Sequence, residues 1–426
     1  MPVRITSFDT ASPGDTAELS FRLAGYAPHR IRRLALLVKT EGSADVNDFS
    51  RELASWRARE AVLAHGGPKL LDRTVFLHST GAEGAMTPFG YLLVDLLEEG
   101  RGEGPGQDPD GGPDEAAAVR PAAGESAAAA AAAEAPGRKA AGGGTLALGV
   151  GRSRTIRGGE IGSARHVGLA EQAVAEAAAD AGLAPADVAL AVVKTPLTGH
   201  DEPVRVTSAE AKAVGALGAA LALGEVARAD VVPAAFGRDL SLHSARTMVF
   251  SSSEAARVEV LVLGNRPGAG GDLRIVSGPL ADVLDAPGIR RVLAAAGADL
   301  TPDGTVREPA RVAALLIKVG HRHDGTLRGA RTTVLTSQLD PDKHVRSVMS
   351  GVAGSVLGTG RLFISANSVH QAPDGGGLCA AITTAAPAPA ATPAPAAGAA
   401  VDTAGGGADA VSAGAAPGAA VTGGTV

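Results

Sequence analysis

Three apolar runs in this chain end in a lysine, and three later ones end in a serine. The lysines close Leu36-Leu37-Val38-Lys39, Ala191-Val192-Val193-Lys194 and Leu315-Leu316-Ile317-Lys318. The serines close Phe76-Leu77-His78-Ser79, Met248-Val249-Phe250-Ser251 and Leu362-Phe363-Ile364-Ser365. Between each pair lies a helix-like stretch with a basic residue in its first turns: Arg51, Lys212 and Arg346. A serine hydroxyl attacks an amide carbonyl only when a base takes its proton. A lysine amine becomes that base when burial or neighbouring cations bring its pKa down toward neutrality. The resulting oxyanion needs donors, and the other serines, nearby backbone N–H groups and the cations can supply them. One strand-terminal Lys or Ser is an ordinary solvated end. Three ordered repeats of the same trio point instead to an active site built by internal repetition. Three equivalent donor sets suit a small planar ligand with several carbonyls, such as a cyclic imide or ureide.

The elements that must carry these residues repeat in the same order. Blocks over 1–100, 144–265 and 266–384 each give a strand ending in Lys, a helix with an early basic residue, and a strand ending in Ser. Strands alternating with helices make each block α/β or α+β, a sheet with helices packed on it. Asp48 or Ser50 is placed to cap the first basic helix, Ser208 the second, and Asp340 or Asp342 the third. Helical patterns also open the second block at Val167 to Ala181 and the third at Ile289 to Ala296, ended by Gly182 and Gly297. Residues 101–143 and 385–426 are dominated by Ala, Gly and Pro and cannot bury enough apolar surface to offset ordering entropy. They read as a disordered linker and tail, with a fleetingly helical Ala run at 127–133.

Composition narrows the function classes. At 426 residues the chain has room for roughly two to four domains, each burying its own core. A net charge of −6 with 3% aromatics argues against nucleic-acid binding. No run of about 18 apolar residues is present to span a bilayer, and the N-terminus lacks the apolar core of a signal peptide. The single cysteine, Cys379, excludes an intramolecular disulfide and suits a reducing cytoplasm. Weaker signals are read structurally. His321-Arg322-His323-Asp324 is the exposed flank of a hairpin turn at Asp324-Gly325, and Gly149-Val150-Gly151 is strand and turn, not a dinucleotide fingerprint. His78, His243 and His370 border the serine strands as structural groups, and Pro373-Asp374-Gly375-Gly376-Gly377 is a turn.

At Lys39-Thr40-Glu41-Gly42 and Val46-Asn47-Asp48-Phe49-Ser50-Arg51-Glu52 the chain closely resembles the ring-opening amidohydrolases, the family of cyanuric acid hydrolase and barbiturase. Ser12-Pro13-Gly14-Asp15-Thr16, Glu259-Val260-Leu261-Val262-Leu263-Gly264-Asn265 and His370-Gln371-Ala372-Pro373-Asp374-Gly375-Gly376-Gly377 extend the resemblance across all three blocks. The resemblance implies three similar sheet-plus-helix units around a pseudo-threefold axis. It also implies a homo-oligomer, specifically a tetramer. By position it implies Ser251 as nucleophile and Lys194 as its base, although Ser251-Ser252-Ser253 leaves the register open by one or two residues. The substrate is then held by Arg51, Ser79, Thr80, Lys212, Ser252, Arg346, Ser365 and Ala366, with Lys39 and Lys318 in the outer pairs.

Three departures qualify that carry-over. Lys212 stands where the family has an arginine, a point charge in place of a planar fork. Ser79-Thr80-Gly81 and Ser365-Ala366-Asn367 replace the family's Ser-Gly-Gly. Gly320 stands where a family glutamate holds a structural metal, so neither a metal nor another cofactor is expected. The expectation is a Ser–Lys hydrolase that opens a small cyclic amide or imide, on a ring that need be neither cyanuric nor barbituric acid. Either of those two named activities is the alternative within enzymes. A non-catalytic binder of small cyclic ligands is the alternative outside them, and an intact Lys194 beside a serine triplet argues for catalysis.

Overall fold

The computed structural model describes residues 2–43, 47–97, 144–199, 201–202 and 204–384. The linker and tail expected at 101–143 and 385–426 lie outside the described residues, as does the Ala run. Three units follow one another. The first contains β1 (Val3–Asp9), α1 (Ala17–Ala24), β2 (Ile31–Thr40), α2 (Ser50–Leu71), β3 (Thr74–Thr80) and β4 (Phe89–Leu96). The second repeats the series as β5 (Thr145–Arg152), α3 (Ala164–Ala181), β6 (Val188–Pro196), α4 (Ser208–Ala222), β7 (Thr247–Ser252) and β8 (Glu259–Arg266). In the third, β9 (Leu273–Leu280), α5 (Ala286–Ala295) and β10 (Val312–Val319) lead to a small hairpin, β11 (Thr326–Leu327) and β12 (Ala330–Arg331). Then come α6 (Pro341–Leu357), β13 (Phe363–Ala366) and β14 (Gly377–Thr384). The three sheets have one topology, β1-β4-β2-β3, β5-β8-β6-β7 and β9-β14-β10-β13. In each, the lysine strand is parallel to the serine strand and antiparallel to the last strand of the unit.

The lysine strands read as unbroken apolar runs because both faces of each sheet are covered. In β2, Leu34, Leu36 and Val38 face α1 and α2 and pack on Leu19, Leu23, Ala58 and Val62. Ala35 and Leu37 face the other way. They join Leu190, Val192, Leu316, Phe250 and Phe363 in a core drawn from all three sheets. The separate cores expected of each block therefore exist only on the helix-facing sides, and the inner side is shared. Truncating an inner leucine such as Leu37 or Leu316 to alanine should cost about 2–5 kcal/mol. Period-2 alternation places Lys39, Lys194 and Lys318 on this inner face, at its rim.

Several local expectations change in detail. Phe49 occupies the N-cap of α2, with the Asp48 carboxylate accepting from the Ser50 amide at 3.0 Å. Thr207, not Ser208, caps α4 through a reciprocal box with Glu210, because its extended backbone precedes the first helical residue. Asp340 caps α6, and left-handed Gly182 ends α3. Gly149 and Gly151 lie within β5, where a Cβ would come 2.1 Å from the Ala177 and Ala173 carbonyls of α3; they permit close helix–sheet approach. Asp324-Gly325 is a turn, but the hairpin reverses at Arg328-Gly329, both with positive φ. Helix α1, only eight residues long, carried no signal in the sequence reading. Among the described residues no helix is long and apolar enough to cross a membrane.

Candidate active site

The strand ends meet through contacts that pass from unit to unit in a cycle. Arg51 of the first unit reaches the second, donating from Nη1 to the Ser251 carbonyl and from Nε to Glu254, both at 3.0 Å. Arg346 of the third unit reaches the first, gripping Glu83 with Nε at 2.5 Å and Nη2 at 2.6 Å. Lys212 of the second unit reaches the third, 3.4 Å from the Ala366 carbonyl and 3.8 Å from the Asp342 carboxylate. The lysines cross units in the opposite sense: Lys194 donates to the His78 carbonyl at 3.0 Å and Lys318 to the Val249 carbonyl at 2.9 Å. These contacts bring Arg51, Lys194, Lys212, Ser251, Lys318, Arg346 and Ala366 together where the three units meet.

The pairs within units are not identical. Lys39 Nζ is 3.2 Å from Ser79 Oγ and 2.9 Å from the Thr80 carbonyl, and Lys318 Nζ is 3.0 Å from Ser365 Oγ. Lys194 makes its side-chain pair with Glu254. The strand register explains the difference. Lys39 is opposite Ser79 and Lys318 opposite Ser365, whereas Lys194 is opposite Phe250, and Ser251 follows one residue later opposite Thr195. Phe250 turns into the inner core, edge-on to Phe363 with ring centroids 5.6 Å apart and with Lys318 5.0 Å from its own centroid. Ser251 therefore meets the start of α4, where its Oγ lies 2.7 Å from Ser208 Oγ. Even so, Ser79, Ser251 and Ser365 share one environment by exposure, each 6% accessible, while Ser252 is fully buried with its hydroxyl unpartnered.

Electrostatics separates the three lysines. Burial, then the Arg346 charge, holds Lys39 well below the ordinary amine value. Burial and then Lys212 do the same to Lys318. Lys194 is also lowered by burial, but the Glu254 carboxylate works against that shift. Burial would raise Glu254, yet Lys194 and Arg51 outweigh it and hold that acid at about 2. The second unit thus carries an amine whose proton affinity is partly restored by a carboxylate. His78 and His370 are both fully buried beside the junction strands. Burial, then Lys194, keeps His78 neutral, and His370 bridges the Leu242 carbonyl and the Gly237 amide.

Glu83 and Glu254 are not singled out by the sequence, while Ser208 stands there only as a helix cap and Gln371 only within a family stretch. Both glutamates follow a site serine by three or four residues, and that spacing was the available signal. Gln371 accepts from the Val249 amide at 2.7 Å, tying the loop after Ser365 to the strand that carries Ser251. The residues around Gly320 do not fit the metal implied by the resemblance. Gly320 brings no ligand side chain, and the Gly376 carbonyl already accepts from the Gly320 amide at 3.0 Å and from Ser368 Oγ at 2.8 Å.

Three concatenated α/β units with a buried lysine–serine junction define the class, and comparison with known proteins names it. The model of the amidohydrolase ring-opening protein family matches residues 4–106 and 127–384, and the chain belongs to this family. It is 30% identical over 407 residues to the cyclic amide hydrolase of Azorhizobium caulinodans, covering 90% of this chain and all of that one. A cyanuric acid amidohydrolase of Pseudonocardia dioxanivorans is 33% identical over 393 residues, covering 88% and 96% of the two chains. The crystal structure of the cyanuric acid hydrolase from A. caulinodans superposes with a TM-score of 0.72 at 28% identity, over 90% of this chain and 99% of the other.

Proposed function

We propose that this chain hydrolytically opens a small cyclic amide ring, with Ser251 as nucleophile and Lys194 as its base. The observation that carries the reading is the junction itself: three buried strand-end lysines and three serines of equal exposure, linked unit to unit by Arg51, Lys212 and Arg346. Ser251 Oγ bonds to a ring carbonyl carbon as its proton passes to Lys194, and Glu254 stabilises the ammonium that forms. The ring C–N bond then breaks, the departing nitrogen takes the proton, and water hydrolyses the acyl-serine to an open-chain acid. Lys194 suits the base role better than its counterparts because Glu254 restores part of the proton affinity that burial removes, and a more basic amine takes the serine proton more readily. Ser79 and Ser365, each already accepting from a lysine, are oriented to donate their own hydroxyl protons to substrate carbonyls.

A second reading is favoured by those same two hydrogen bonds. It makes Ser79 or Ser365 the nucleophile, since each has an amine directly on its hydroxyl. The relatives' names leave the ring open, and Lys212, a point charge where the other two corners have arginine, favours a ring other than a fully carbonylated one. The lone, fully buried Cys379 suits a reducing cytoplasm. The exposed Phe49, Leu53 and Trp56 along one end of α2 suit a homo-oligomer, a tetramer by the family resemblance. The test is a screen of purified protein against cyclic imides, ureides and lactams, followed for loss of ring and gain of carboxylate. Turnover of at least one ring, abolished in Ser251→Ala, supports the reading. Binding without turnover across the panel would make the chain a ligand-binding relative.

A further inference from the structure

Resting on the assignment of Ser251 as nucleophile, we infer that Ser208 is a positioning residue for it. Each basic helix begins beside the junction, and its first residues are Ser50, Ser208 and Pro341. These three positions are not chemically alike. The Ser50 hydroxyl is used locally, donating to the Glu41 carbonyl at 2.9 Å and to Asp48 at 2.5 Å, and Pro341 has no hydroxyl. Ser208 is the one whose hydroxyl meets a strand-end serine, 2.7 Å from Ser251 Oγ.

Two features free Ser208 for that contact. Thr207 takes over the capping of α4: its Oγ1 accepts from the Glu210 amide at 3.2 Å, and Glu210 returns a bond to the Thr207 amide at 2.8 Å. The one-residue later register of β7 carries Ser251 toward α4, while Phe250 takes the inner position that Ser79 and Ser365 occupy in their units. The outer serines each accept from a lysine, so their oxygens are already engaged by an ammonium or amine. Ser251 pairs instead with a neutral hydroxyl at the N-terminal end of a fifteen-residue helix, where the helix dipole also favours negative charge.

The consequence is directional. Two hydroxyls share one hydrogen bond, so either can be the donor. When Ser208 donates, the Ser251 proton turns away from it and becomes available to the base. The Ser208 hydroxyl then remains on the oxygen as charge develops and fixes its direction of attack. No covalent bond to Ser208 forms or breaks. The pair sets the middle serine apart from its two counterparts in an otherwise threefold site.

The experiment compares Ser208→Ala, Ser208→Thr and Ser251→Ala with the full-length enzyme on whichever ring the screen shows to be opened. Ser208→Ala should lower kcat by about 10- to 100-fold, as expected for one lost donor to a developing oxyanion. KM and the melting temperature should stay essentially unchanged, because Thr207 still caps the helix. Ser208→Thr, which keeps the hydroxyl, should recover most of the rate. The rate of covalent labelling of Ser251 by a serine-directed acylating reagent should fall in step with kcat. An unchanged kcat and labelling rate in Ser208→Ala, with Ser251→Ala inactive, would overturn the role of Ser208 and leave the nucleophile assignment standing. Full activity of Ser251→Ala would overturn both.

Discussion

Replacing Glu254 by glutamine tests the electrostatic argument for the middle unit. The carboxylate lies in a buried cluster with Lys194 and Arg51, the latter at 3.0 Å, and its own side chain is about one-tenth exposed. A unit charge about 3 Å away through an effective dielectric of about 20 is worth roughly 5 kcal/mol. That figure is a ceiling on the proton affinity that Lys194 loses with the carboxylate. Glutamine keeps part of the hydrogen bonding and the edge of the cluster is open to solvent screening, so the loss stays well short of that ceiling. The sign is definite. Removing the anion lowers the amine pKa, so neutral Lys194 persists to lower pH and the acidic limb of the kcat/KM profile moves to lower pH. The plateau should fall as well, because a weaker base takes the serine proton less readily. Breaking a buried pair should also cost about 3–5 kcal/mol in urea unfolding. The assay is the pH–rate profile of ring opening in wild type and Glu254→Gln. A limb that stays in place, or that moves to higher pH, would refute the claim that Glu254 tunes the catalytic amine.

Further expectations concern the other corners of the site. Lys39 and Lys318 have folded pKa values well below the free value of 10.5. Between those values the unfolded chain binds more protons, so stability should rise with pH up to about 10.5. Lys39→Met and Lys318→Met should each flatten that rise when urea unfolding is compared at neutral and alkaline pH; an unaltered slope would mean that these amines are not depressed. Ser79→Ala and Ser365→Ala should each cost at most about 10²–10³-fold in kcat/KM. Ser251→Ala and Lys194→Ala should each remove nearly all turnover, with the double variant little worse than either single. Equal losses at all three serines would remove the distinction drawn between them. Lys212→Arg restores a planar fork at the third corner and should shift preference toward a fully carbonylated ring, measured as the ratio of kcat/KM values.

Much of this site was legible in the sequence because polar residues ending apolar runs stand out. Lys39, Lys194 and Lys318 close strands whose continuous apolar character signals burial on both faces, and that burial makes the lysines unusual. Repetition of the trio carried the three-unit architecture without detectable identity between units. What stayed hidden depends on contacts distant in sequence. Glu254 meets Arg51 across 203 positions and Glu83 meets Arg346 across 263, so neither pairing leaves a local pattern. The β7 register was equally invisible. Phe250, Ser251 and Ser252 all fit a strand end, and only the packing of Phe250 against Phe363 fixes which residue turns inward. The shared inner core escaped for the same reason: each block contains enough apolar residues to build a core alone, and nothing local says that one face of its sheet meets two others.

The central claim is that one serine of the three, Ser251, becomes covalently acylated during ring opening. Acid quenching of the enzyme during steady-state turnover, followed by tryptic digestion and tandem mass spectrometry, tests it directly. The peptide Thr247–Arg257 should gain the mass of the substrate, with fragment ions placing the adduct on Ser251 and not on Ser252 or Ser253. An adduct on the peptide carrying Ser79 or Ser365, or rapid turnover with no adduct on any serine under conditions that slow deacylation, would contradict it.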